Sequence, residues 1–175
     1  MGTLKTTNIE TISGSGTLTL GTSGETIAAG SGVTIGSGLG KVLQVVQATT
    51  TSDLSNNTTS YVASGFTAAL TPSATSSKIL IQLSGGSMDY AAAALDVYCA
   101  LYTDTGGGGY AATTSFTRTR VDSAFGMPNC QTLLLSPSTT SAVTVQPYIK
   151  SSSSNAAYIN RNSVLLTLTL TEIAG

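Results

Sequence analysis

From Leu166 to Thr171 the chain alternates strictly, Leu-Thr-Leu-Thr-Leu-Thr. A two-residue period places the leucines on one face of a strand and the threonines on the other. This predicts a strand with Leu166, Leu168 and Leu170 against a core. Residues 115–121 alternate as cleanly, with Phe116, Arg118 and Arg120 on one face and Thr117, Thr119 and Val121 on the other. Residues 42–47 and 78–83 are denser β-branched runs, the second reading as a buried strand that Gly85 and Gly86 bring to an end. Shorter β-like runs follow at 61–63, 66–71, 91–102, 131–135, 142–150 and 157–159. Between them lie a polar loop at 49–59 and turns at 72–77, 136–141 and 151–155, with a glycine tip at 106–109. Pro147 lacks a donor for a ladder hydrogen bond, so it predicts an edge or a bulge. Four alanines at 91–94 fall short of a helix. Eight or nine strands with short connections and no helix predict an antiparallel β-sandwich, most simply a jelly roll.

The first 40 residues have a different texture. Residues 11–21 and 26–36 repeat each other fifteen positions apart, with Leu18 answered by Val33 and Leu20 by Ile35. A short β-repeat cannot bury its own apolar face and needs neighbours. Two units are too few for a solenoid, so the expected neighbours are other chains. Residues 36–40 then carry three glycines, a serine and a leucine, which predicts a boundary. The expectation is an all-β chain with an extended N-terminal stem or attachment arm over 1–39 and a sandwich head over 40–175. Leu18, Leu20, Val33 and Ile35 are the expected contacts along a trimer axis.

Charge changes this picture. Only 9% of residues are charged, against roughly 25% in an average protein. Thr and Ser, at 30 and 24 residues, make up nearly a third of the chain. Such a surface suits a protein whose faces are covered by partners. A net charge of −1 gives no field for nucleic acid or an anionic membrane surface, and neither partner is expected. No apolar run reaches the roughly 18 residues of a membrane-spanning helix, and the first residues carry no apolar signal core, so synthesis in a cytoplasm is expected. With no histidine, the commonest general base and metal ligand is missing. There is no nucleophile elbow and no phosphate loop, and the eight acids show no glycosidase or calcium-loop spacing. The expectation is a protein that is not an enzyme and carries no cofactor or metal.

A few residues remain as candidates. Tyr90, Tyr98, Tyr102 and Tyr110 flank the glycine tip. Strand context assigns Tyr98 and Tyr102 to packing and leaves Tyr110 exposed; the alternative is aromatic stacking on a cell-surface glycan. Arg118 and Arg120, on one strand face, are expected to meet carboxylates of a neighbouring subunit, the alternative being an anion or acidic sugar. Asp89, Asp96 and Asp104 read as solvated carboxylates, the alternative being a shared calcium site. Cys99 and Cys130 read as two buried thiols, the alternative being one disulfide.

Several segments resemble a domain family common in bacteriophage virion proteins, above all of marine and cyanobacterial phages. The opening strand at 40–47 is similar to that family's first strand. Thr75-Ser76-Ser77-Lys78-Ile79-Leu80-Ile81 is similar to its second signature, and Leu135-Ser136-Pro137-Ser138-Thr139-Thr140 to its proline turn. Tyr158-Ile159-Asn160-Arg161 and residues 170–175 resemble its closing strands, and residues 1–7 the start of small phage structural proteins. The resemblance covers most of 40–175. It implies a trimeric jelly roll of the tumour-necrosis-factor-like kind at the tip of a fibre or spike. It also implies location on the virion, as a head fibre, decoration protein or tail fibre; other virion proteins are the partners expected at the N-terminal segment, and the alternative reading adds a host surface glycan. If the stem holds the chains together, replacing Leu18 and Leu20 with Asp should abolish assembly in light scattering while the circular dichroism of the head is kept. Unchanged mass would remove the stem from the assembly.

Overall fold

The computed structural model describes residues 41–90, 95–122 and 126–175. The stem positions Leu18, Leu20, Val33 and Ile35 lie outside the described residues. Eleven strands form among those described: β1 (Val42–Thr50), β2 (Leu54–Asn56), β3 (Val62–Ala63), β4 (Ala68–Leu70), β5 (Lys78–Tyr90), β6 (Leu95–Thr105), β7 (Ala111–Val121), β8 (Met127–Leu135), β9 (Val143–Ser151), β10 (Ala157–Asn160) and β11 (Leu166–Ile173). All pair antiparallel.

The first sheet runs β1–β11–β5–β8, with β10 on the far end of β5 and β2 on β10. The second runs from β3 and β4, both on β9, through β9 to β6 and β7. Take β3 and β4 as one interrupted strand, and β2 and β10 as extensions. The eight principal strands then lie in the order first, eighth, third, sixth in one sheet and second, seventh, fourth, fifth in the other. That is the double Greek key of a jelly roll.

The period-two pattern sets the inner faces. Leu166, Leu168 and Leu170 of β11 and Ile79, Ile81 and Leu83 of β5 are fully buried. They belong to one core cluster with Val97, Cys99 and Leu101 of β6 and Val143, Val145 and Ile149 of β9. Burying each large aliphatic side chain contributes about 2 kcal/mol. This layer is the main source of stability.

Three local expectations are corrected. Gly85 and Gly86 do not end β5, which continues to Tyr90 through a bulge at these two residues. Both have positive φ, at 84° and 64°, and a Cβ on Gly86 would come 2.6 Å from the Ile159 carbonyl oxygen. Glycine therefore bends the strand without ending it. Pro147 lies in β9, which is flanked on both sides, rather than at an edge. Its carbonyl accepts from Ser64 N at 3.1 Å, where the chain departs between β3 and β4. The missing donor thus faces a gap in the ladder. The polar loop is shorter than expected, because β1 runs to Thr50 and β2 forms within the rest.

Continuing the alternation beyond Leu170 turns Glu172 inward, and it is fully buried. Gln44, its cross-strand partner, donates to the carboxylate at 2.6 Å, and Ser73 donates through both its N–H and its hydroxyl at 2.7 Å. Burial alone would raise the carboxyl. Hydrogen bonds from the Gln44 and Ser73 side chains and the Ser73 N–H outweigh it and hold the group at about 2, below its ordinary 4.5. A depressed folded-state value stabilises the fold above the ordinary value, and that contribution is lost as pH falls from 4.5 towards 2. Urea titrations should show stability declining across that acid range, and Glu172→Gln should flatten the decline. At neutral pH, Glu172→Leu should cost about 2 kcal/mol by removing hydrogen bonds to a charged group. An acid profile identical in wild type and Glu172→Gln would show that this carboxylate is not the titrating group.

Candidate functional site

Outward positions on the second sheet are set by the same alternation. Val97, Cys99 and Leu101 point into the core, so Asp96, Tyr98, Ala100, Tyr102 and Asp104 of β6 point out. Val143, Val145 and Ile149 likewise turn Tyr148 and Lys150 of β9 outward. Register then joins the strands: Arg118, Tyr98 and Lys150 form one row, and Phe116, Ala100 and Tyr148 the next. Ala100 is buried although it points outward, because larger neighbours flank it on every side.

The aromatic rings form a continuous series. Tyr102 and Tyr148 stack with centroids 3.8 Å apart and planes 20° from parallel. Tyr61 tilts against Tyr102 at 6.1 Å, and Tyr110 tilts against Tyr148 at 6.0 Å. Lys150 places its ammonium 4.9 Å from the Tyr61 centroid and 4.5 Å from that of Tyr98. The Arg118 guanidinium lies 5.7 Å from the Tyr98 centroid. Burial raises the hydroxyls of Tyr61 and Tyr110, helped by neighbouring Tyr102 and Asp104 respectively. Both phenols therefore stay neutral donors throughout the physiological range.

Arg118 and Arg120 converge on Asp96, with N–O distances of 2.7 and 3.8 Å. Asp96 is buried, and its N–H donates to Ser152 Oγ at 2.9 Å. The hydrogen bond to Asp96, reinforced by its charge, raises Arg118 above its already high ordinary value. Both arginines thus meet a carboxylate of their own chain. Their side chains remain about 60% exposed (59% and 62%), so the guanidinium edges turned from Asp96 stay open to solvent.

The structure redistributes the candidates. Tyr98 and Tyr102 are not core residues; they stand partly exposed on the outer face, and Tyr110 is likewise only partly exposed. Tyr90 is on β5, away from this face. The three aspartates do not come together, and two of them are not solvated. Asp89 is buried 3.5 Å from Arg161, whose guanidinium also lies over Tyr158 and donates to the Tyr90 carbonyl. Asp96 serves the arginines. Asp104 accepts from Gly109 N at 3.0 Å and closes the β6–β7 tip. No group of three or more metal-ligating acidic, Cys or His side chains occurs among the described residues. The cysteines are free, and only Cys99 is buried; Cys130 is exposed on the first sheet's outer face. Burial pushes the Cys99 thiol up to about 11.

Tyr61, Tyr148 and Lys150 escaped the sequence reading. The alternation around Val145 and Ile149 does turn Tyr148 and Lys150 outward. Nothing local shows that β9 lies beside β6, which is what assembles the face. The stacked pair can be tested by a double-mutant cycle with Tyr102→Leu and Tyr148→Leu. A coupling of about 1 kcal/mol is expected in urea unfolding, and a coupling of zero would mean that the rings do not pack in solution.

No protein-family model matches the chain, and no curated protein matches it. Among solved structures, the chain is similar to one described as the structure of infectious bursal disease virus, Gx strain, at 13% identity and a TM-score of 0.47. The alignment covers 85% of this chain and 44% of the matched one, so the chain spans less than half of that protein's length.

Proposed function

We infer that this chain is a non-enzymatic structural protein of a bacteriophage virion, a homotrimeric fibre or decoration protein attached to the capsid. The observation that carries the reading is the outer face of the first sheet. Register aligns three rows across β1, β11, β5 and β8: Val45–Thr171–Leu80–Leu134, Gln47–Thr169–Gln82–Thr132 and Thr49–Thr167–Ser84–Cys130. None of these positions carries a charge. Val45 and Leu134 are 59% and 51% exposed at opposite ends of the first row. Depletion of charge is the compositional mark of an interface core, and a solvated sheet face ordinarily carries Lys and Glu. Symmetric self-assembly is the commonest way to cover such a face. The resemblance of 40–175 to phage virion domains supports the setting, and the N-terminal segment is the part proposed to dock on other virion proteins.

A second reading is a tail-fibre or spike tip that recognises host surface polysaccharide. The tyrosine and cation series on the second sheet favours it. The two readings concern opposite faces of one sandwich and are compatible.

Light scattering should give three times the 17.6 kDa chain mass. Val45→Asp combined with Leu134→Asp should make that mass fall on dilution, with the circular dichroism spectrum unchanged. Antibody labelling of intact particles should mark the capsid. A monomer at tens of micromolar, or label confined to the tail tip, would overturn the structural reading.

A further inference from the structure

We propose that the outer face of the second sheet binds an acidic polysaccharide, a chain of uronate-bearing pyranose rings, along the line of Phe116, Arg118, Tyr98 and Lys150. This rests on the recognition reading above, not on the assembly reading.

Three features select the ligand. The first is charge. The chain has seven Lys and Arg residues, and Arg118, Arg120 and Lys150 bring three of them to adjoining strands of one face. Among the described residues Asp96 is the one acid that pairs with them, and it is buried beneath the arginines. Lys150 makes no ion pair with any described residue; its ammonium rests between two tyrosine rings. A chain so sparing with charge leaves an excess of positive charge here, which complements carboxylates. Arg118 and Arg120 meet at Asp96 on the β7 side of Tyr98 and Lys150 lies on the β9 side, so the positive charge flanks that ring on both sides.

The second is the aromatic surface. Phe116 is 65% exposed, the most exposed large hydrophobic side chain among those described, and precedes Arg118 on the same face. Nothing in the fold requires a phenyl ring there. Its apolar face suits the C–H face of a pyranose, and the half-exposed tyrosines add hydroxyl donors beside it. The third is rigidity. Lys150 is held by ring faces and Arg118 by Asp96, so ordering them on binding costs little. Nucleic acid is the poorer partner: a net charge of −1 gives none of the broad positive field that a phosphate backbone demands.

The test uses the full chain in titration calorimetry against alginate, neutral dextran of matched length and polyglutamate. Alginate should bind, with affinity falling as salt rises. Dextran, lacking carboxylates, and polyglutamate, lacking sugar rings, should each bind at least about tenfold more weakly. Phe116→Ala and Lys150→Gln should each weaken alginate binding about tenfold. Lys41→Gln, which removes an exposed cation just before β1, should leave it unchanged. Phe116 is exposed, so its loss should not impair folding, and circular dichroism checks this. Absence of alginate binding overturns the proposal, as does polyglutamate binding equally well or Phe116→Ala having no effect. Dextran bound in preference to alginate would overturn the acidic ligand and leave glycan recognition standing. A fall in oligomer mass in Phe116→Ala or Lys150→Gln, without alginate binding to the wild type, would assign the face to a second copy of this chain.

Discussion

The register of β11 is the constraint on which the rest of this jelly roll depends. It lies between β1 and β5, and its inward positions are Leu166, Leu168, Leu170 and Glu172. A slip of one residue would turn three leucines to solvent and three threonines into the core. At about 2 kcal/mol for each buried leucine, such a slip does not compete. Once β11 is set, β1 and β5 are set with it, and β8 follows from β5. The charge-free rows on the first sheet's outer face are therefore a consequence of how its inner face packs.

The two outer surfaces differ sharply in chemistry. One is Thr, Gln, Ser and a few apolar residues, without a charge across its three central rows. The other joins five tyrosines and two cations through stacking and cation–π contacts, with Phe116 and Arg120 beside them. A sandwich has two such surfaces and can give each a separate task. Covering by partners and recognition of a ligand are the tasks proposed for them.

Some of the chain's few charges are used inside. Glu172, Asp96 and Asp89 are all buried, and each is held by a different set of donors. Glu172 is bound by neutral donors at one end of the sandwich, Asp96 by arginines beneath the second sheet's outer face, and Asp89 lies beside Arg161 where β5 meets β10. A buried carboxylate without donors is costly, so these contacts fix the strands and turns that provide them. Asp96 in particular links the packing of β6 to the position of Arg118, and so ties the candidate binding surface to the fold.

The amino-acid sequence by itself determined the all-β class, most strand positions and the inward face of each clean strand, because period-two alternation is local. The faces of 115–121 and of 166–171 are examples, as is the glycine tip at 106–109. Sequence could not reveal that β5 passes through Gly85 and Gly86, because a glycine pair reads equally as a stop or a bulge until the neighbouring backbone is known. Nor could it place Tyr98 and Tyr102 outside. They sit among apolar residues, and only the packing of Val97, Cys99 and Leu101 decides which parity is core. Tertiary structure alone brought Tyr61, Tyr148 and Lys150 to Tyr98 and Arg118, because strands that are neighbours in a jelly roll are distant in sequence. The clustering of rings and cations on the second sheet is a property of strand order, and strand order is fixed by non-local burial of the two sheets against each other.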